Sequence, residues 1–249
     1  MPTTVDEPPL RGAARARRLW RLWRNERDDP EPFYAMLADE AIRAIEARHG
    51  DVRGLLVVDI GSGPGYYADV FESHGARVVA VDVEHDRSEP VRGAVLGDAA
   101  ALPVATGAAD GVFCSNMLEH VPNPGAVIDE MTRVLHPGGW GYLSFTNWYS
   151  PFGGHDISPY HYLGTRLGPR LYERRHGPPK KNRFGEMLFP LHIGPTLRRL
   201  RRDARAHVDR VEPRYWPWAG FVARIPVARE VLCWNCAVYL TRTEEPGGR

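Results

Sequence analysis

The sequence predicts an α/β protein built on a parallel sheet, and three observations carry that expectation. Short apolar runs of the kind buried on both faces recur: "LLVVDI" at 55–60, "ARVVAVDV" at 76–83, "GVFCSNM" at 111–117 and "GWGYLSFTN" at 139–147. Helical stretches separate them, "YYADVFESHG" at 66–75 and "PGAVIDEMTRVLHPGG" at 124–139. Strand–helix alternation implies βαβ units. The chain has 249 residues, 43% of them hydrophobic and 25% charged, enough to bury a core without a disulfide or metal staple.

Taken in order, residues 1–10 are Pro-rich and are expected to form a disordered tail. Residues 11–50 are expected to form two cap helices. In "RGAARARRLWRLWRNERDD", Leu19, Leu22 and Trp23 fall at helical spacing with arginines elsewhere. A helix packed on the domain fits this pattern; a membrane-surface helix is the alternative, since Trp and Arg suit an interface. Pro30 and Pro32 open a second helix through Arg48, and "HGD" closes it. Residues 51–249 form one domain. Its alternation stops after Trp148, leaving an insert at 148–193. "TLRRLRRDARAH" then reads as a helix, and "VDRVEPRYW" and "VLCWNCAVYLTRT" read as two closing strands.

Composition narrows the function. A formal charge of +1 argues against a general nucleic-acid binder. The total is a cancellation: residues 59–130 carry 12 acids against 3 bases, and residues 131–249 carry 9 against 19. No apolar run reaches the ~18–20 residues of a membrane span, and "MPTTVDEPPL" lacks a signal peptide's apolar centre. A cytoplasmic protein is expected. Cys114, Cys233 and Cys236 are an odd number, and the C-x-x-C of the last two has no second pair, so two buried strand cysteines are expected rather than a metal or redox site.

The most informative segment is "VVDIGSGPGYY". Asp59 ends a strand, and Gly61, Ser62, Gly63 and Gly65 form the turn before a helix, where a backbone can approach a ligand and a helix N-terminus favours an anionic group. A dinucleotide fingerprint requires a small residue where Tyr66 stands. Asp59 would repel a pyrophosphate but welcome a cofactor bearing an amine and a sulfonium. Both points count against an NAD-dependent oxidoreductase. Asp82, at the end of the next strand, can accept hydrogen bonds from both ribose hydroxyls.

Together, "VVDIGSGPG", "VAVDV", "GDAAALP", "ADGVFCSNMLEHV" and "VLHPGGWGYLS" resemble, in order and spacing, a class I S-adenosylmethionine-dependent methyltransferase of the type-11 group that includes ubiquinone and menaquinone biosynthesis enzymes. The resemblance implies a Rossmann-like, seven-stranded, mostly parallel sheet with helices on both faces and an antiparallel last strand. It implies S-adenosyl-L-methionine as cofactor. Asp59, Gly61, Ser62, Gly63 and Gly65 would hold its methionine part, and Asp82 its ribose with Val83 beside the adenine. Asp98 and Ala99 would read the adenine edge, and Ser115 and Asn116 would line the methyl-donor side. Tyr34 is a candidate cover. Glu119 and His120 are one adjacent pair, too few for a metal site, and no metal is expected.

The methyl acceptor is expected to be a small molecule, anionic or lipid-like, with no nucleic acid partner; peripheral membrane contact stays open. The aromatic-rich insert is the segment expected to choose it. A hydroxyl acceptor benefits from a general base, most often His. His155 is preferred, with His161 second and Asp156 and Tyr162 nearby. O-methylation of an aromatic, lipid-like or secondary-metabolite hydroxyl is the leading expectation. C-methylation of a quinone-like ring and a non-catalytic cofactor-binding role are the alternatives. Arg198, Arg199, Arg201, Arg202 and Arg205 share one helix, read as a solvated face or as a surface for an acidic partner.

Overall fold

A computed structural model describes residues 10–84 and 93–244, divided into a unit ending at Leu96 and a unit starting at Gly97. The expected tail at 1–10 lies, but for Leu10, outside the described residues.

The first unit opens with helices α1 (Gly12–Asn25) and α2 (Glu31–His49). No residue of α1 is buried, and Trp20 and Trp23 are exposed. Arg15 fastens it to α2 by a bidentate pair with Glu40, Nε to Oε1 at 2.6 Å and Nη2 to Oε2 at 2.7 Å. Helix α2 buries Phe33, Met36, Leu37, Ala41, Ile42 and Ile45, a stripe at helical spacing. Strand β1 (Leu56–Ile60), helix α3 (Tyr66–Ser73), strand β2 (Arg77–Asp82) and strand β3 (Ala94–Leu96) follow. β1 pairs parallel with β2, Asp59 opposite Ala80, and β2 pairs parallel with β3. The three-residue β3 was not located by the alternation; a run that short carries no readable periodicity.

The second unit contains β4 (Ala109–Ser115), a 3-10 turn at Leu118–His120, α4 (Pro124–Val134), β5 (Leu135–Thr146), the insert, α6 (Ile193–Arg202), β6 (Ala206–Pro213), α7 (Pro226–Leu232) and β7 (Asn235–Arg242). Its strands run in the order β4-β5-β7-β6. β4 and β5 are parallel, and β7 is antiparallel to both β5 and β6. The fold is thus the expected seven-stranded, mostly parallel α/β sheet with an antiparallel last strand. Val112, Phe113, Leu143, Phe145 and Val238 are fully buried, as in strands covered on both faces. At Gly111 the Trp140 ring lies where a Cβ would stand, 2.2 Å from its nearest atom, so only glycine fits.

The chain's end departs from expectation. β6 stops at Pro213 and β7 starts at Asn235, with a 3-10 segment (Pro217–Arg224) and α7 between them. Pro217 and Pro226 explain this, because a fixed φ and a missing N–H suit a first helical turn. Cys233 therefore ends α7 instead of lying on a strand, while Cys236 is on β7; both are buried and unbridged. The insert also holds structure that alternation did not announce: 3-10 turns at His155–Ile157 and Tyr160–Leu163, and helix α5 (Gly164–His176). It has a core of its own, in which Trp148, Ile157 and Leu188 are buried with Tyr172 and Phe184 packed on them.

Candidate active site

In the first unit, the loop between β1 and α3 turns on three left-handed glycines: Gly61 (φ 72°), Gly63 (φ 51°) and Gly65 (φ 88°). L-residues with a side chain resist this region, so glycine is needed here. Backbone bonds tie the loop to β2, with Gly61 N–H donating to Val81 O at 2.8 Å and Gly63 N–H to Asp82 Oδ2 at 2.8 Å. Asp82 Oδ1 accepts from Glu84 N at 3.2 Å, and Val83 beside it is exposed. Asp59 is buried, and neither carboxylate oxygen has a hydrogen-bond partner; the Ser62 hydroxyl is in the same position. Burial, and secondarily the Asp82 charge, push the Asp59 carboxyl up to about 8. A buried, unpartnered acid is costly unless a cationic group meets it. The cationic amine of S-adenosylmethionine is such a group, and the residues here fit it. Tyr34 stacks on Tyr66 at the start of α3, with ring centroids 5.8 Å apart, and donates its hydroxyl to Glu26 at 3.0 Å.

In the second unit, Asp98 is exposed in a turn, its Oδ1 accepting from Ala100 N at 2.8 Å, and Ala99 is buried. Ser115 ends β4. Its hydroxyl accepts from Arg214 Nη1 at 2.8 Å and from Ser144 Oγ at 3.1 Å. Asn116 follows at φ 53°, its side-chain oxygen accepting from Asn235 Nδ2 at 2.7 Å. Arg214, just after β6, and Asn235, the first residue of β7, were not expected near β4; no local pattern marks them.

Glu119, His120 and His155 converge, with one ligand-type atom from each lying within 4.8 Å of the others. Glu119 is buried; its Oε1 accepts from Thr146 N at 2.9 Å, and its Oε2 is buried without a partner. His120 Nδ1 donates to Met187 O at 2.7 Å, which leaves Nε2 as the nitrogen with a lone pair. His155 Nε2 is buried without a partner, and the two imidazoles meet edge-on at 4.9 Å. Burial holds the His155 imidazole below its ordinary range, against the pull of Glu119. His155 also has φ 44°. Among the described residues it and Asn116 are the two non-glycine positions with positive φ. Such strain gathers at functional sites. Backbone bonds bring the insert to the Glu119 segment, with Phe189 N donating to Glu119 O at 2.9 Å.

His161 is placed differently. It is fully buried, donates Nε2–H to Ser150 O at 3.1 Å, and packs edge-on against Trp148. A Cβ on Gly154 would lie 2.5 Å from its ring. This ring is a structural part of the insert. Asp156 is exposed and accepts from Asn182 N at 3.2 Å, and Tyr162 is exposed. On α6, Ile193, Leu197 and Leu200 are buried and the arginines face outward. Arg199 pairs with Asp129 at 2.5 Å and Arg205 with Asp203 at 2.9 Å, as on a solvated face.

Residues 58–143 match the methyltransferase domain family. A protein of Mycobacteroides abscessus named as an uncharacterized methyltransferase is 37% identical over 91% of this chain and 93% of its own length. A Mycobacterium avium protein of the same name is 36% identical over 91% and 94%. The fold is similar to an S-adenosylmethionine-dependent methyltransferase from Mesorhizobium loti, with TM-score 0.56 and 21% identity over 83% of this chain and 98% of that one. It is also similar to magnesium protoporphyrin IX methyltransferase from Synechocystis with bound S-adenosylhomocysteine, with TM-score 0.53 and 15% identity over 92% and 94%.

Proposed function

This chain belongs to the methyltransferase domain family and is an S-adenosylmethionine-dependent methyltransferase; from that premise we propose that it methylates a hydroxyl on a small, largely apolar molecule. The observation that carries the proposal is the unpartnered, buried Nε2 of His155, in a cluster that sets one nitrogen of this ring within 4.8 Å of a carboxylate oxygen of Glu119. Methyl transfer is an in-line displacement at the sulfonium carbon, in which the protein chiefly supplies alignment. A hydroxyl nucleophile must also lose its proton, and a neutral imidazole with a free lone pair serves that need. Glu119 stabilises the imidazolium that results.

On the cofactor side, Asp59 meets the cationic amine, the glycine loop admits the methionine part, and Asp82 accepts from the ribose hydroxyls. Val83, Asp98 and Ala99 serve the adenine, and Ser115 and Asn116 the methyl-donor end. The insert's exposed Tyr149, Tyr162, Leu163, Leu167 and Met187 favour an apolar, aromatic or lipid-like acceptor over an anionic one. No described helix is long and apolar enough to cross a membrane. The test is a methyl-transfer screen against phenols, hydroxylated acyl lipids and quinones, run with wild type and His155→Ala. O-methyl products from wild type that fall sharply in the variant support the reading. C-methyl products, or O-methyl products at undiminished rate in the variant, end it.

A further inference from the structure

We propose that Glu119, His120 and His155 together form a binding site for one divalent transition-metal ion of the zinc type. The sequence alone offered only the adjacent Glu119–His120 pair. The fold adds a third donor, His155, from a segment 35 residues further on, and it brings one donor-type atom of each residue within 4.8 Å of the others.

Four features of the cluster are those of a ligand set. First, the donors are one carboxylate oxygen and two imidazole nitrogens, with one atom of each within 4.8 Å of the others. Three such donors and an open position are the pattern of catalytic zinc. Around an ion at the usual ~2.0–2.1 Å, tetrahedral donors lie roughly 3.3 Å apart. Second, Glu119 Oε2 and His155 Nε2 are both buried without a hydrogen-bond partner. Buried polar atoms are seldom left so, and a bound ion would satisfy both. Third, the remaining atoms are held from behind. His120 Nδ1–H donates to Met187 O, and Glu119 Oε1 accepts from Thr146 N–H. Hydrogen bonds of this kind fix the tautomer and orientation of metal-binding side chains. Fourth, His155 reaches the cluster from a strained left-handed backbone position (φ 44°), which the insert maintains.

The donor set also says which ions fit. Two imidazoles and one carboxylate suit zinc, cobalt, nickel, manganese or iron, whereas magnesium and calcium prefer oxygen donors. On the hydroxyl-acceptor reading, the His155 lone pair takes the proton in the metal-free protein; with the ion bound His155 is a ligand instead, and the ion would polarise the acceptor oxygen and lower its pKa, the proton going to solvent. The existence of the site does not rest on that reading.

The experiment is a titration of the full chain, stripped with chelator, with Co²⁺ as the probe. Calorimetry gives stoichiometry, and the visible ligand-field spectrum gives coordination; no acceptor is present. One equivalent should bind with bands of low coordination number, and Zn²⁺ should displace it. His155→Ala, at a half-buried position in a turn, should weaken Co²⁺ by more than about 100-fold, beyond the effect of losing an outer partner, and remove those bands. His207→Ala, at an exposed histidine remote in sequence from all three donors, should change neither. Glu119→Gln tests the carboxylate, and its folding is checked by thermal melting. Absence of saturable Co²⁺ binding in wild type overturns the proposal, as do affinity and spectrum that survive in His155→Ala. Intact Co²⁺ binding with no O-methyl product in the screen would instead remove the acceptor reading and leave the site standing.

Discussion

Asp59 and Glu119 are two buried carboxylates with opposite companions. Asp59 lies at the end of β1 with both oxygens unpartnered and with Asp82, a like charge, as its neighbour. Glu119 has one oxygen bonded to Thr146 N–H, and a carboxylate oxygen of it lies within 4.8 Å of a nitrogen of each of two imidazoles. Among the described residues no hydrogen-bond donor meets the first carboxylate, which suits the proposed ligand, a cofactor that carries a cation. The second is already furnished with groups that can take up a proton or share an ion. The difference separates recognition from chemistry. On the reading proposed above, the glycine loop recognises and the insert brings the reactive group.

The largest expected effect breaks the second half of that comparison. His155→Ala should lower turnover on a hydroxyl acceptor by about 10²–10⁴-fold, the range for loss of a positioned acid–base group, and leave cofactor affinity unchanged in calorimetric titration. His161→Ala should do something else. It deletes a buried ring packed on Trp148, so a drop in melting temperature should dominate, with a cost of about 2–4 kcal/mol. Equal loss of turnover in the two variants, at equal stability, would mean that the insert has no special position at His155.

The next effect tests the first half. Asp59→Asn keeps the shape and removes the charge, and should weaken S-adenosylmethionine about 100-fold, as for loss of a charge-assisted contact in a low-dielectric site. The same variant should melt higher at pH 8 without ligand, because it no longer carries a buried acid. The sign follows from linkage. The Asp59 carboxyl is pushed up to about 8 in the folded protein, while the unfolded chain titrates it near ~3.9. The folded state therefore binds more protons between these values. Wild-type stability should fall as pH rises from about 4 to about 8, then level. Cofactor affinity should rise over the same window, with proton release measurable as a buffer-dependent binding enthalpy. A flat affinity profile, or an identical profile in Asp59→Asn, would show that the carboxyl does not meet the cofactor's cation.

These two halves were not equally legible in the sequence. Asp59, Gly61, Gly63, Gly65 and Asp82 belong to one strand–loop–helix–strand unit, so their mutual placement follows from local rules of turn and strand geometry. The alternation that revealed β1, β2, β4 and β5 is equally local. Ser115 was legible as a strand end, but Arg214 and Asn235, which bond to it and to Asn116, lie more than 90 residues away in sequence. The Glu119–His155 meeting depends on backbone bonds such as Phe189 N–H to Glu119 O and on a core inside the insert. Neither leaves a periodic trace. The closing strands were placed too widely because apolar alternation extends through "VLCWNC", where Pro226 and the helix it starts decide the structure.

The smallest expected effect sharpens the comparison without abolishing either site. Asp82→Asn keeps an oxygen that can accept the Gly63 N–H, now at 2.8 Å, so the glycine loop should hold its form. One charge-assisted acceptor for the ribose becomes a neutral one, and cofactor affinity should fall only about tenfold, near 1.4 kcal/mol. The informative readout is elsewhere. Asp82 is the second cause of the raised Asp59 carboxyl, after burial. Neutralising it should move the upper end of the pH window downward, while burial keeps it above the ordinary carboxylate range. The two changes have different signatures: weaker binding at every pH from the ribose contact, and an earlier rise of affinity with pH from Asp59. A uniform tenfold loss with an unmoved pH profile would mean that the Asp82 charge does not act on the Asp59 carboxyl. Asp59 would then owe its protonated form to burial alone.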